Sequence, residues 1–395
     1  MNLSIFSAED HAHRALALAL TARGRDTATP NPCVGCVIAK GGRVIAEGWH
    51  ERAGEPHAEA RALAACSEAP EGATVYVSLE PCSHHGRTPP CADALIAARV
   101  ARVVAALEDP NPRVNGEGAA RPRAAGIRVD LGLMAAEARE AHLGFVTRMT
   151  RGRPWMRIKA GASLDGRIAL ANGASRWITG EDARRDVHAL RARSCAMLTG
   201  IGTVIADDPE LTVRRVPCAR QPKRVLIDNR LDLPPTAKLL TGERLLVLTV
   251  SEDASKRKTL EDAGAEVVVV PREGEKTDLA AVARLLAERG FNEVTVETGT
   301  KLNGSLLRAG VVDEIVLYLA PRLLGDKAQG LFALPEFTSL DEVMRPHIVD
   351  VRFVGEDLRI TARLDPLPGP LDVRPCPSGD PGERENGSEA ERGTG

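Results

Sequence analysis

The chain has 395 residues, 43% hydrophobic and 27% charged, with a formal net charge of −2, the profile of a soluble globular protein with room for two domains or one large one. Residues 366–395 hold six acids (Asp372, Asp380, Glu383, Glu385, Glu389, Glu391) against three arginines (Arg374, Arg384, Arg392), so the rest carries about +1, too weak a field to draw nucleic acid or a membrane surface. Aromatic residues make up only 3%, which leaves few platforms for stacking bases and favours a small-molecule substrate.

Near the amino terminus, Ala15-Leu16-Ala17-Leu18-Ala19-Leu20 has the look of a signal-peptide core, but it is short and Glu9 and Asp10 stand where a basic leader belongs. Ser7 as N-cap, Asp10 three residues on and Gly24 beyond the end predict a capped helix over 8–23. Strands are expected near 34–39, 43–49, 74–78 and 100–107. Cys33 and Cys36 have the spacing of a redox or metal pair, but their setting is an apolar strand and they read as buried structural thiols. No apolar run approaches a membrane span. The eight cysteines are scattered without disulfide spacing, which suits a reducing cytoplasm.

The densest chemistry lies in Pro56-His57-Ala58-Glu59, Pro81-Cys82 and Cys91. One imidazole and two thiolates are the ligand set of a catalytic zinc that keeps its fourth position open, lowering the pKa of a bound water towards about 7. A Glu two residues after the His matches the His-x-Glu…Pro-Cys…Cys pattern of zinc deaminases, in which Glu59 takes the water proton and delivers it to the leaving amine. His57 and Glu59 fall in the first turn of a helix expected over 56–65. Cys91 opens another, where the helix dipole lowers a thiol pKa. Singly, each residue reads as a helix start or a core thiol; only the deaminase mechanism needs all four. Eight residues, Ser83 to Pro90, separate the cysteines where the short motif has two. Gly86 and Pro89-Pro90 favour a compact loop there, and His84 or His85 is an alternative ligand.

A basic, aperiodic stretch at 147–153 marks a boundary, after which strands are expected at 156–160, 196–199, 224–228, 245–249, 266–270, 293–297 and 314–319. No Gly-x-Gly-x-x-Gly fingerprint is present. Glu297-Thr298-Gly299-Thr300 reads as a strand end and glycine turn leading into a helix from Leu302, whose free N–H groups can cradle phosphate; an ordinary strand-to-helix turn fits equally. Thr199-Gly200-Ile201-Gly202-Thr203, leading to Asp207, is a similar turn. After Pro366 the chain is Pro, Gly, Ser, Glu and Arg with few large apolar residues, and is expected to be disordered.

The segment Leu79-Glu80-Pro81-Cys82-Ser83-His84-His85-Gly86-Arg87-Thr88-Pro89-Pro90-Cys91 resembles the signature loop of the bifunctional riboflavin-biosynthesis deaminase/reductase family, which keeps this longer insert. Asn31-Pro32-Cys33-Val34-Gly35 and Gly48-Trp49-His50 are similar to its deaminase half. Lys159-Ala160-Gly161-Ala162-Ser163-Leu164-Asp165-Gly166-Arg167, Ser175-Arg176-Trp177-Ile178-Thr179-Gly180, the segment from Gly200 to Arg214, and Val312-Asp313-Glu314 are similar to its reductase half. The likeness spans most of 1–330, is weak over 231–290 and is absent from the tail. Thr298-Gly299-Thr300 departs from the smaller or glycine residues common there.

The resemblance implies an amino-terminal cytidine-deaminase-like α/β/α sandwich at 1–146, a linker at 147–153, a dihydrofolate-reductase-like α/β domain at 154–364 and a tail at 365–395. It implies zinc on His57, Cys82 and Cys91, with Glu59 as proton carrier, and contacts from Asn31, His50, His84 and Arg87 to the pyrimidine and ribose phosphate. It places NADPH near Gly161, Trp177, Thr203, Asp207, Asn229, Gly299, Thr300, Lys301, Leu302, Asn303, Gly304 and Ser305. Ser175, Arg191, Leu211, Arg214 and Glu297 lie near the second substrate, the arginines suiting its phosphate. Trp177 reads equally as core, and Arg191 as part of a solvated charged helix. The implied reactions are hydrolysis of the 2-amino group of 2,5-diamino-6-ribosylamino-4(3H)-pyrimidinone 5′-phosphate, then hydride transfer to the ribosyl C1′, in a homo-oligomer. Two rivals differ in what they require. A nucleobase or tRNA deaminase fused to a nucleotide-binding domain calls for basic and aromatic surface. A nucleotide sensor with structural zinc needs a fourth protein ligand, His84 or His85.

Overall fold

Strands β1 (Gly35–Lys40), β2 (Arg43–Trp49), β3 (Thr74–Val77), β4 (Arg102–Ala105) and β5 (Arg128–Leu131) form a sheet in the order β2-β1-β3-β4-β5. β1 runs antiparallel to both neighbours, whereas β3, β4 and β5 are parallel. The helices are α1 (Ala8–Gly24), α2 (Ala58–Ala64), α3 (Cys91–Ala97), α4 (Glu117–Ala124), α5 (Ala135–Ala141) and α6 (Leu143–Arg151). Alternation along the strands sets the layers. Cys36, Ile38, Val75, Val77, Val103 and Ala105 face Ala58 and Ala62 of α2, Leu95 of α3 and Ala119 of α4. Val37, Ala39, Tyr76 and Val104 face Ala17 and Leu20 of α1. The result is the expected three-layer sandwich. The computed structural model describes residues 6–86 and 89–364, all within one compact unit, so Arg87 and the tail at 365–395 lie outside the described residues.

The capping box on α1 forms as expected: the Asp10 amide donates to Ser7 Oγ at 3.0 Å, and the Ser7 amide to Asp10 Oδ2 at 2.9 Å. Gly24 differs from expectation. It is the last residue of α1, not a left-handed stop beyond it, and a Cβ there would overlap the His50 carbonyl oxygen. Close backbone approach, not turn geometry, requires the glycine.

The second half contains β6 (Trp155–Ser163), β7 (Arg167–Ala169), β8 (Ala196–Gly200), β9 (Lys223–Ile227), β10 (Leu246–Thr249), β11 (Glu266–Val269), β12 (Arg272–Glu273), β13 (Lys276–Thr277), β14 (Glu293–Val296), β15 (Glu314–Ala320), β16 (Gln329–Gly330), β17 (His347–Val354) and β18 (Asp357–Arg363). Its helices are α7 (Glu181–Arg193), α8 (Ile201–Asp207), α9 (Ala254–Asp262), α10 (Leu279–Glu288) and α11 (Thr300–Arg308). The main sheet has the order β11-β10-β9-β8-β14-β6-β15-β18-β17. It is parallel from β11 to β15, with β18 and β17 added antiparallel. Every strand expected from sequence is present; the hairpin β17–β18 was not foreseen.

Val282 and Leu286 of α10 and Leu306 and Leu307 of α11 pack on one face, with Ile158, Leu198 and Val296. Val204 of α8 and Leu260 of α9 pack on the other, with Met197, Leu226 and Val247. The neighbouring strands β8 and β14 are therefore followed by helices on opposite faces, which opens a crevice at their carboxyl ends.

The stretch expected as a linker is the end of α6, which stops at Gly152 with φ 63°. Its basic residues reach into the second half. Arg151 and Arg153 donate to Asp313 at 3.1 Å and at 2.5 and 2.8 Å, and Asp313 also accepts the Met156 amide at 2.8 Å.

Candidate active sites

His57 is the N-cap of α2 and makes no side-chain cap bond, so its ring is available to neighbouring loops. Cys82 lies in the loop after β3, and Cys91 is the first residue of α3. His57 Nδ1 is 3.4 Å from the Sγ atoms of both Cys82 and Cys91, and the three ligand atoms all lie within 4.8 Å of one another. With zinc bonds of about 2.0 Å to nitrogen and 2.3 Å to sulfur, that N···S separation corresponds to an angle of roughly 100°, near tetrahedral. Among the described residues no other group of three His, Cys, Asp or Glu is so placed, and neither His84 nor His85 joins this one. Three protein ligands leave a position open, as a catalytic site requires and a structural one does not.

The charges also fit a cation. A hydrogen bond from Cys91 and the His57 imidazole push the Cys82 thiol down to about 4. Cys91, beside the charge taken by Cys82, is pushed up. Glu59, 3% exposed, is pushed up to about 7 by burial and by Cys82. A divalent ion relieves such crowding of acidic groups. The adjoining Glu80 fixes the loop: its carboxylate accepts the amides of Asp109, Gly116 and Ala119 at 2.9, 3.2 and 2.8 Å, which anchors Pro81-Cys82 to the segment leading into α4.

Asn31 and His50 are brought to the metal ligands. Asn31 Nδ2 is 3.0 Å from His50 Nε2, and the His50 ring stands edge-on to His57 with centroids 5.0 Å apart. Burial and the neighbouring His57 push the His50 pKa down, keeping it neutral. His84 has a buried Nδ1 with no hydrogen-bond partner among the described residues. Cys36 is a buried thiol and Cys33 a half-buried one; desolvation pushes Cys33 up to about 11 and Cys36 well above its usual value.

In the second half the expected residues gather at the carboxyl ends of β8, β14 and β6, though not all face the crevice. Thr203 Oγ1 accepts the Gly299 amide at 3.2 Å and lies 3.3 Å from Thr298 Oγ1, which joins the two glycine turns. A Cβ at Gly202 would meet nothing within 4 Å and one at Gly299 only Thr203 Oγ1 at 3.9 Å, so both line open space that suits close approach of a dinucleotide phosphate. Trp177 is 60% exposed, with the Arg184 guanidinium 4.8 Å from its ring; it is not core. Arg176 pairs with Asp207 at 3.5 Å.

Other residues are engaged with protein partners. Asn303 is 1% exposed and donates to the Thr298 carbonyl at 3.3 Å, while Gly304 packs against the Ala333 carbonyl. Both belong to the inner face of α11. The Ser305 hydroxyl donates to the Lys301 carbonyl, and Asn229 accepts the Thr277 amide at 3.0 Å. Leu211 is buried in the α8–α9 core with φ 52°, so its side chain does not face the crevice.

Glu297 is the hub of the polar cluster. Arg191 holds its carboxylate with two hydrogen bonds of 2.6 and 2.9 Å, and Lys159 lies 3.3 Å away. Against a burial that would raise it, these cations keep Glu297 well below the usual carboxylate range. Arg191 is thus engaged and not a solvated surface residue. Arg214 is exposed and pairs with Glu210 at 2.6 Å. Ser175 is half-buried.

Several residues that matter were missed because their partners are remote in sequence. Arg157 is 1% exposed in β6 and is paired with Glu314 and, at 3.2 Å, Glu293. Arg148, Cys195 and Asn292 join the two halves. A charged residue inside the apolar run Met156-Arg157-Ile158 was the one local signal.

Residues 154–359 match the family model of the RibD C-terminal domain, and residues 7–107 match that of the cytidine and deoxycytidylate deaminase zinc-binding region. Riboflavin biosynthesis protein RibD of Escherichia coli (strain K12) is 46% identical over 364 residues, covering 89% of this chain and 98% of that protein. The Haemophilus influenzae protein of the same name is 43% identical, covering 90% and 98%. Among solved structures, RibD of Acinetobacter baumannii superposes with a TM-score of 0.84 at 40% identity, covering 91% of this chain and 99% of that one. A diaminohydroxyphosphoribosylaminopyrimidine deaminase/5-amino-6-(5-phosphoribosylamino)uracil reductase from Thermotoga maritima does so at 0.79 and 31% identity, covering 90% and 99%. With an open three-ligand metal site in one half, a cofactor crevice in the other and both halves matched in a single chain, the protein belongs to the RibD family, in which a zinc-dependent deaminase is joined to an NADPH-dependent reductase of riboflavin biosynthesis.

Proposed function

We propose that residues 1–146 hydrolyse the 2-amino group of 2,5-diamino-6-ribosylamino-4(3H)-pyrimidinone 5′-phosphate, and that residues 154–364, joined through 147–153, then reduce the ribosyl side chain to ribityl. The observation that carries the first step is a buried carboxylate, Glu59, beside a ligand set with one position open. Zinc, when bound by His57, Cys82 and Cys91, supplies an activated water nucleophile. Glu59 takes the proton released as water adds to C2 and passes it to the ring nitrogen, then carries the proton of the new hydroxyl to the departing amine, which leaves as ammonia while C2 becomes a carbonyl. Buried at 3% exposure, this carboxylate is shielded from bulk solvent while it moves the proton. Asn31, His50 and His84 contact the ring and ribose, with Arg87 on the phosphate.

For the second step, NADPH, when bound, supplies the hydride that reduces C1′ of the opened ribosylamine. Gly161, Trp177, Thr203, Gly299 and Lys301 line the cofactor crevice. Lys159 and Asp207 face the imine, and Glu297, fixed by Arg191, orients the substrate. Arg214 and Ser175 reach its phosphate end.

A cytoplasmic location is supported by a metal site that needs thiolate ligands. No helix among the described residues is long and apolar enough to cross a membrane. A homo-oligomer is supported by β17, an edge strand whose Ile348, Val351 and Phe353 are exposed. The deciding experiment incubates the diaminopyrimidine phosphate with the protein, with and without NADPH. The deaminated ribosylaminouracil is expected without the cofactor, and the ribityl product with it. Persistence of the 2-amino group in zinc-loaded protein would overturn the first assignment, and no oxidation of NADPH on the deaminated compound the second.

A further inference from the structure

The loop that carries Asn31 is gripped by α6 together with the carboxyl-terminal half. Asn292 is 7% exposed and fixed at the entrance to β14, where its amide donates to Cys195 Sγ at 3.3 Å and its carbonyl accepts from the Trp155 amide at 2.9 Å. From there its side-chain Nδ2 donates to the carbonyls of Pro30 and Asn31 at 3.3 and 3.4 Å. Arg148 of α6 donates from Nε to Asn292 Oδ1 and from Nη2 to the Pro30 carbonyl, both at 2.7 Å. The arginine bonds are short and the amide bonds long, so Arg148 supplies the grip while Asn292 sets its direction. Because Arg148 takes the amide oxygen, the Asn292 NH2 must face the loop. Thr29 Oγ1 adds a contact at 3.2 Å to Cys195 Sγ. A cavity of about 20 Å³ is left here, room for about one water, and a Cβ at Gly144 would come within 2.6 Å of the Asn292 carbonyl oxygen.

The opposite side of the same loop meets the metal site. His50 Nδ1 is 3.3 Å from the Pro56 carbonyl, which can only accept, so Nδ1 carries the proton and Nε2 accepts from the Asn31 amide at 3.0 Å. That bond reserves the Asn31 Oδ1 for an amino group of the ring. We infer that Arg148 and Asn292 are positioning residues for deamination, holding Asn31 and, through it, His50 where the pyrimidine binds. The second half is then a structural part of the first half's active site. The inference rests on Asn31 being a substrate contact.

The test uses full-length, zinc-loaded Arg148→Ala, Asn292→Ala and Asn31→Ala, assayed separately for deamination without NADPH and for reduction of the already deaminated substrate. Arg148→Ala and Asn292→Ala are expected to raise the KM of deamination about tenfold, the scale of a slightly misplaced contact. Zinc content, kcat and reduction should be unchanged, and hydrogen exchange at the Asn31 amide, which donates to Ala28, should quicken. Arg148→Lys can keep one of the two bonds but not both, and should recover the KM only in part, an intermediate value that a general loss of stability would not give. Should Asn292→Ala fail to fold, Asn292→Asp keeps the partner of Arg148 but loses the donors to the loop, and is expected to raise KM alike. An unchanged KM in the Arg148 and Asn292 variants, with Asn31→Ala impaired, overturns the positioning role. An unchanged KM in Asn31→Ala overturns the substrate contact itself, and the inference with it.

Discussion

Arg191 meets Glu297 fork to fork, Nε to Oε1 at 2.6 Å and Nη2 to Oε2 at 2.9 Å, while its Nη1 donates to the Thr212 carbonyl at 3.0 Å. A guanidinium spent in this way holds a carboxylate in place and has little left for a phosphate. Arg191→Lys keeps the charge but not the fork, so reduction should fall well below the wild-type rate while deamination is untouched. Arg191→Ala leaves the part-buried Glu297 with Lys159 alone, so the loss of stability in urea unfolding should fall below the about 3–5 kcal/mol of a fully buried, unpartnered charge. Full reductase activity in Arg191→Lys would refute the orienting role of Glu297.

Glu59→Gln removes the proton carrier and leaves His57, Cys82 and Cys91 in place. Deamination should fall by about 10²–10⁴, with zinc retained. Cys82→Ser should lose the metal as well. Metal analysis of the two proteins separates carrier from ligand, and a Glu59→Gln protein with near wild-type turnover would show that another group moves the proton.

How much of this was legible depended on the sequence distance over which each interaction is made. The metal ligands and Glu59 fall within 57–91, and the capping box of Ser7 and Asp10 within four residues, so residue type and spacing sufficed. Arg148 was read only as part of an aperiodic boundary, because its partner Asn292 lies 144 residues away. Gly24 was assigned a turn role because glycine ends many helices; only the packed structure shows the His50 carbonyl against it. Asn303 and Gly304 sit in a motif that resembles a cofactor turn, yet the 3.6-residue period of α11 rotates both inward.

Gly24→Ala tests that close approach. The added Cβ meets backbone and cannot be relieved by a rotamer change, and overpacking of this kind costs typically about 1–3 kcal/mol. The variant should melt at a lower temperature and deaminate more slowly, since His50 must shift, while reduction is unchanged. An unaltered melting temperature and deamination rate would show that α1 and the segment after β2 yield without disturbing the site.

Two buried groups should each withdraw stability as pH falls, over different ranges. His142 is buried, with Nε2 3.1 Å from Ser78 Oγ, and burial followed by the nearby charge of Arg14 pushes it down from 6.5 to about 3. The unfolded chain therefore binds this proton first. The stabilisation is complete above about 6.5 and is lost as pH falls towards 3. Glu293, which burial alone would raise, is held at about 2 against a usual 4.5 by Arg193 and Arg157. Its contribution is present above about 4.5 and disappears as pH falls through 2. Glu59, raised to about 7, works in the opposite direction in metal-free protein, so the imidazole is isolated by difference: the unfolding free energy of wild type minus that of His142→Asn should shrink as pH falls from 7 to 4. A difference that does not change with pH would contradict the buried neutral imidazole.

Chelation separates the two chemistries. The ligand set belongs to helices and a loop on the five-stranded sheet, whereas Lys159, Arg191 and Glu297 cluster at the carboxyl ends of strands in the nine-stranded one. Removing zinc should abolish deamination and leave NADPH-dependent reduction of the already deaminated ribosylaminouracil phosphate intact, and returning zinc should restore the first reaction alone. The grip of Arg148 and Asn292 does not predict otherwise, since it runs from the second half to the first: Asn292 is anchored by Cys195 and Trp155 whether or not the metal is bound. Loss of reduction on chelation, with the protein still folded by circular dichroism, would mean that the metal serves both reactions, and the division of labour argued from the two sheets would fail.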